Sequence, residues 1–84
     1  MSDKPEDYPV HEELDVVDGQ TIYHNDDWWK AVVAYESWNG NEVAVYLWQK
    51  QDGQWRRKQK FKVDDQQEWT AVREAVNDMV DEHI

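Results

Sequence analysis

The stretch of sequence that decides the fold is Gln54–Val63, QWRRKQKFKV. It holds five of the nine Lys and Arg residues of a chain whose formal net charge is −10. Side chains of a β-strand alternate between two faces, so the pattern predicts a strand with one cationic face. That face would consist of Arg56, Lys58, Lys60 and Lys62, and the other of Trp55, Arg57, Gln59, Phe61 and Val63.

The turn before this strand determines which side of the sheet the cations occupy. A two-residue loop at Asp52-Gly53 would set Leu47 opposite Lys58, whereas a three-residue loop with a glycine bulge would set Trp48 opposite Lys58. A one-residue slip exchanges the two faces of a strand. We favour the three-residue loop because it yields one purely apolar face. Its further pairs would be Val43 with Val63, Val45 with Phe61 and Tyr46 with Lys60.

Two hairpins are predicted upstream. Asn39-Gly40, a strong hairpin signal, should join strands at Trp28–Trp38 and Asn41–Gln51. The expected cross-strand pairs make an aliphatic face, and the intervening residues make an aromatic face. The aliphatic pairs are Glu36 with Val43, Ala34 with Val45 and Val32 with Leu47. Asp18-Gly19 predicts an N-terminal hairpin between residues 14–17 and 20–23.

A helix is predicted after the basic strand. Asp65 and Glu68 have the spacing of a capping box, in which side chains accept hydrogen bonds from the first backbone donors of a helix. An apolar stripe at helical spacing then continues to about Glu82 and should cover the aliphatic face of the sheet. The stripe consists of Trp69, Val72, Val76 and Val80, with Ala75 and Met79 beside them.

These elements predict one α+β domain over residues 14–84, preceded by a disordered acidic tail at residues 1–13. The sheet is expected to be curved and antiparallel, an N-terminal hairpin plus a three-stranded meander, with the single C-terminal helix packed on one face.

The acidic composition points to a cytoplasmic protein of a halophilic organism. Residues 28–63 alone carry more bases than acids, and both flanking segments are strongly acidic. An acidic surface that repels partners is the alternative, but a salt-rich cytoplasm screens such self-repulsion. The absence of cysteine, of a secretory signal and of a long apolar run favours a cytoplasmic location without membrane contact.

The order of strand, basic strand and capped helix resembles the single-stranded-DNA-binding domain of the transcriptional coactivator family called positive cofactor four. The likeness covers residues 28–80 and is carried by residues 42–48, Asp52-Gly53, Arg57-Lys58 and the helix start at residues 66–69, with Val72 and Val76 behind it. The resemblance implies a curved sheet, a homodimer built through the helices, and binding of single-stranded DNA.

The predicted function is binding of single-stranded DNA or RNA on the aromatic and cationic face, because such sites combine base-stacking rings with cations. The candidate residues are Trp29, Tyr35, Tyr46, Trp48, Arg56, Lys58, Lys60 and Lys62. Two alternatives remain open: lysines that only protect a sheet edge, and a protein-interaction or homodimerisation module with no nucleic-acid role. No catalytic residues and no cofactor are expected. No metal site is expected either, since His24 beside Asp26-Asp27 has no second cluster of ligands.

Overall fold

The computed structural model describes residues 8–10, 14–38 and 40–84. They form a four-stranded antiparallel sheet with the strands paired in chain order, followed by one helix. The elements are β1 (Asp15–His24), β2 (Trp28–Ser37), β3 (Gly40–Gln51), β4 (Gln54–Val63) and α1 (Gln66–His83). The predicted α+β class, a curved antiparallel sheet with one C-terminal helix, is confirmed.

The first strand runs straight through the position where a hairpin was expected. β1 continues across Asp18-Gly19 and pairs with β2 along its length, with register shifts at Val17 and Ile22. Gly19 is buried and does not have the positive φ that a hairpin turn would need. The prediction of an N-terminal hairpin is therefore wrong. The sheet is a four-stranded meander, and two β-bulges interrupt its edge strand β1.

The strands β2 and β3 pair in a register that is displaced by two residues from the predicted register. Ser37 pairs with Gly40, which sets Trp29 opposite Trp48 and Val32 opposite Val45, so the expected pair of Val32 with Leu47 is wrong. A slip of two residues leaves every side chain on its original face, so the aliphatic and aromatic faces still segregate as predicted. Asn39, half of the expected turn, lies outside the described residues.

The β3–β4 hairpin contains both of the registers considered for it. Gln51 pairs with Gln54, so Asp52-Gly53 is a two-residue turn, and both of its residues have positive φ, 52° and 78°. The predicted three-residue loop is therefore wrong. The register shifts at Lys58, and beyond it the predicted pairs are confirmed: Val43 with Val63, Val45 with Phe61 and Tyr46 with Lys60. A β-bulge at Lys58 thus supplies the extra residue that was expected in the loop.

The core lies on the aromatic side of the sheet, which we call the inner face. Its buried residues are Tyr8, Trp29, Ala31, Val33, Tyr35, Ala44, Tyr46 and Trp48. The opposite, aliphatic side, which we call the outer face, has no buried residue among those described, and Phe61 remains 45% exposed. The face that was predicted to lie under the helix is therefore only partly covered in the single chain, whereas the N-terminal segment packs on the inner face.

Helix α1 begins with the predicted cap. The Asp65 side chain accepts a hydrogen bond from the Glu68 backbone N at 2.7 Å, and the Glu68 carboxylate accepts one from the Asp64 backbone N at 3.1 Å. The helix lies beside the outer face, where Trp69 and Val72 line a groove with Phe61. None of its residues is buried.

The predicted tail, residues 1–13, is described only at residues 8–10. This short piece, which we call the N-terminal segment, lies outside the strands and packs on the inner face through Tyr8, with Val10 against the core. Residues 1–7 and 11–13 lie outside the described residues.

We expect Gly53→Ala to lower the free energy of unfolding by about 1 kcal/mol, because a side chain at positive φ meets the following carbonyl. Urea denaturation followed by tryptophan fluorescence measures the change. Gln54→Ala, one residue later in an ordinary strand conformation, is the control and should have a smaller effect. Equal losses for the two variants would contradict the turn geometry described above.

Candidate nucleic-acid interface

Four rings of β2 and β3 form an aromatic cluster at the centre of the inner face. Trp29 and Trp48 lie opposite each other with ring centroids 5.3 Å apart, and Tyr46 stacks on Trp48 at 5.0 Å and 7°. Tyr35 lies at the other end of the face, beneath Lys60. The cluster therefore brings together the four aromatic residues predicted as the stacking site, and all four are buried, at 5% exposure or less.

The open rim of the cluster is made by His24 and Trp55. The His24 ring lies parallel to the Trp29 ring, with centroids 4.1 Å apart. Trp55 meets Trp29 edge-on at 5.7 Å and is only half-buried. The Trp29 Nε1 donates a hydrogen bond to Thr21 Oγ1 at 3.1 Å, which fixes the indole at this rim. Trp55 is thus the partly open ring nearest to the arginines of β4.

The bulge at Lys58 redistributes the cations of β4. Arg57 pairs with Trp48 and Lys60 with Tyr46, so these two cations share the inner face with the aromatic cluster. Arg56 pairs with Gln49 and belongs to the outer face, and Lys58 occupies the bulge itself. The prediction that Arg56 and Lys58 share a face with Trp48 is wrong, because the strand changes register between Arg57 and Gln59.

Two of the cations already have partners. The Lys62 Nζ lies 3.3 Å from Glu42 Oε2 and 3.5 Å from Asp64 Oδ1. Desolvation alone would raise the pKa of Glu42, but the hydrogen bond from Lys62 and its charge lower that pKa below its ordinary value. The Lys60 Nζ lies over the rings of Tyr35 and Tyr46, 4.9 and 5.3 Å from their centroids, which is a cation–π geometry.

The other three cations of β4 are exposed: Arg56, Arg57 and Lys58. Within the part of the chain that the structure describes, no carboxylate lies within ion-pair distance of them. Among the described strands β4 pairs with β3 alone and so lies at the edge of the sheet. These side chains are therefore available to a phosphate that approaches along the edge of the sheet.

The N-terminal segment covers the aromatic cluster. The Tyr8 ring stacks on Trp29, with centroids 5.5 Å apart, and lies 6.4 Å from the Trp48 ring. It also lies directly over Gly19, where an added Cβ would overlap the tyrosine ring. The predicted stacking rings are consequently closed to a base while Tyr8 is in this position.

A cavity of about 480 Å³ separates this segment from β4. Two cations of the inner face, Arg57 and Lys60, line one side of it, and Pro9 and Val10 line the other. Leu14, Tyr46 and Trp48 complete the wall. The Trp48 Nε1 is buried and has no hydrogen-bond partner among the described residues. The cavity therefore combines apolar walls with two cations.

Sequence reasoning missed Tyr8 and Gly19, and it placed both Trp55 and Arg57 on the face of β4 opposite to the aromatic cluster. Tyr8 was assigned to a disordered tail, and Gly19 to a turn. Arg57 was placed on the opposite face because a bulge inside a strand has no residue signal comparable to the Asp-Gly of a turn. A ring in the tail and a glycine in an otherwise β-forming run were the available signals, since glycine in a strand often marks a close approach.

The described residues contain no group of three or more His, Asp or Glu side chains that could hold a metal ion. No described helix is both long enough and apolar enough to cross a membrane. Comparisons with protein-family models, with curated proteins and with solved structures gave no match. The resemblance to the coactivator family therefore stays a prediction.

Replacing Lys62 with Met should raise the pKa of Glu42 toward its ordinary value, because the ammonium group that stabilises the carboxylate is removed. In the wild type the pKa of Glu42 is lowered in the folded state. The contribution of this contact to stability is therefore present at neutral pH and lost as the pH falls through that pKa. A carbon-detected NMR titration of the Glu42 carboxyl measures the shift. Lys58→Met is the matched control and should leave this pKa unchanged.

Proposed function

We propose that this protein is a non-catalytic nucleic-acid-binding protein that holds a single strand of DNA or RNA along β4. The observation that carries the proposal is the exposed cationic run of Arg56, Arg57 and Lys58 on the edge strand of a chain with net charge −10. Proteins that bind single strands without base pairing combine a cationic track for the phosphates with aromatic rings. The half-buried Trp55 supplies such a ring beside the arginines.

The charge distribution favours direct contacts between phosphates and the cations of β4 over long-range attraction of nucleic acid to the whole chain. The whole chain would repel a polyanion, so binding requires phosphates to come close to the cations of β4. In about 1 M salt the Debye length falls to about 3 Å, which removes the repulsion from distant acids but leaves contacts at the strand. The acid excess is consistent with the cytoplasm of a halophilic organism, and a role in transcription would follow from the coactivator resemblance alone.

The double variant Arg56→Gln, Arg57→Gln should bind oligo-dT more weakly. Each phosphate contact to a single strand contributes about 0.7 to the slope of log K against log salt, so losing two should flatten the slope by about 1.4. Fluorescence anisotropy of a labelled oligo-dT over a series of KCl concentrations measures both affinity and slope.

The control for this experiment is Arg73→Gln, which removes an exposed cation from helix α1 instead of β4. It should leave the slope at the wild-type value. If wild-type protein does not bind oligo-dT at any salt concentration, or if Arg73→Gln has the same effect as the arginine pair, the proposal for β4 is wrong.

A second candidate function, pairing with another copy of the same chain, is favoured by a different observation. Helix α1 and the outer face leave apolar side chains open on both sides of a groove of about 720 Å³. Trp69, Val76, Met79 and Val80 are 40–60% exposed on the helix, and Val43 and Phe61 are 39% and 45% exposed on the sheet. A contiguous apolar surface of this kind is typical of an interface.

A second copy would suit this surface because a two-fold contact places the same stripe on both partners. The remaining helix surface is strongly acidic, so two copies repel each other in dilute buffer. Salt screens that repulsion and also strengthens apolar burial when its anion is strongly hydrated. Self-association should therefore increase with salt, whereas binding to nucleic acid should decrease with it.

Val76→Glu should shift the chain toward the monomer, weakening self-association at least about tenfold, because 1.4 kcal/mol of lost apolar contact already corresponds to a factor of ten. Sedimentation velocity in high KCl measures the distribution of species. Asn77→Glu adds the same charge one residue later, outside the residues that line the groove, and should remain associated like the wild type. A wild-type chain that stays monomeric in high salt would exclude the pairing.

A further inference from the structure

We infer that the aromatic cluster beneath Tyr8 is a base-stacking surface that opens when the N-terminal segment leaves the sheet. This inference rests on the proposed binding of a single strand along β4 and adds a second part to that site. The cations of β4 would hold the phosphates, and Trp29 and Trp48 would receive bases in the place that the Tyr8 ring occupies.

The first observation is the way in which the segment is attached. Residues 8–10 belong to no strand, and the bond from the Val10 backbone N to the Tyr8 carbonyl, at 2.9 Å, is a bend within the segment. The segment packs on the sheet through the Tyr8 ring, which stacks on Trp29 over Gly19, and through Val10. A short segment outside the strands can open without the sheet unfolding, as local segments of proteins commonly do.

The second observation is that the ring occupies the position of a base. Tyr8 stacks on Trp29 with centroids 5.5 Å apart and an interplanar angle of 30°, an offset contact within the range of aromatic pairs. Gly19 provides the space in which the ring fits, because any larger residue there would overlap it. A flat ring of another molecule could use the same space once Tyr8 has left.

The third observation is the cavity next to the ring. It places Arg57 and Lys60 on the same side of the sheet as Trp48, so phosphates held by these cations would bring their bases toward the cluster. The covered side of the sheet therefore holds the cations and the rings that such a ligand needs.

The segment and the nucleic acid would then compete for one surface. A competing cover lowers the apparent affinity by the fraction of time for which the site is open. Tyr8→Ala should therefore bind oligo-dT at least about tenfold more tightly than the wild type, and its tryptophans should become more accessible to acrylamide. Gly19→Ala should raise acrylamide accessibility by a second route, since its methyl group displaces the ring while Tyr8 itself is kept. It should not share the gain in affinity, because the methyl group also fills the space that a base would use.

The matched control is Tyr23→Ala, which removes a tyrosine that is 43% exposed and lies outside the core cluster. It should leave acrylamide quenching and oligo-dT affinity unchanged. Circular dichroism and urea denaturation establish that each variant is folded. In the wild type, NMR cross-peaks between the ring protons of Tyr8 and Trp29 should disappear when oligo-dT saturates the protein, which tests the competition without any substitution.

The outcomes separate the two proposals. If oligo-dT binds the wild type but the Tyr8–Trp29 cross-peaks persist at saturation, the proposed base-stacking surface beneath Tyr8 is wrong. The proposed interface along β4 then stands. Unchanged affinity in a folded Tyr8→Ala variant with raised quenching, or a Gly19→Ala variant that binds as tightly as Tyr8→Ala, leads to the same conclusion. If neither the wild type nor the opened variants bind oligo-dT, the proposed function itself fails.

Discussion

The contact between Trp29 and Trp48 is the interaction on which the rest of this structure depends. These two rings lie on neighbouring strands, directly opposite each other, with centroids 5.3 Å apart. Cross-strand aromatic pairs are among the strongest determinants of strand pairing. Their pairing fixes the register of the central hairpin, and it also provides the surface on which Tyr8, His24 and Tyr46 pack.

Side-chain alternation could be predicted from the sequence, whereas the pairing register could not. The faces of β2 and β3 were predicted correctly although their register was displaced by two residues, because a period-two pattern is unchanged by such a displacement. On β4 the extra residue was assigned to the loop and is found at Lys58, so only the residues beyond the bulge were placed correctly. The capped helix was predicted almost completely, since its signals are local.

The location of the core could not be predicted because a segment distant in sequence, residues 8–10, covers one of the two faces. Tyr8 lies in an acidic segment between two prolines, and nothing in that composition indicates that its ring would be buried. The site prediction had the same weakness. It identified the correct aromatic residues, but a hydrophobic pattern cannot show which of two apolar faces a separate piece of chain will cover.

Strand β4 contributes to both faces of the sheet. Phe61 and Val63 extend the outer face towards the helix, while Arg57 and Lys60 line the cavity of the inner face. The bulge at Lys58 lies between Arg57 and Lys60, and it contains the one residue by which β4 exceeds a regular pairing with β3. A chain with one residue fewer at this point could keep both the Asp52-Gly53 turn and the Val45–Phe61 pair. Insertions and deletions are therefore better accommodated within β4 than in the turn that precedes it.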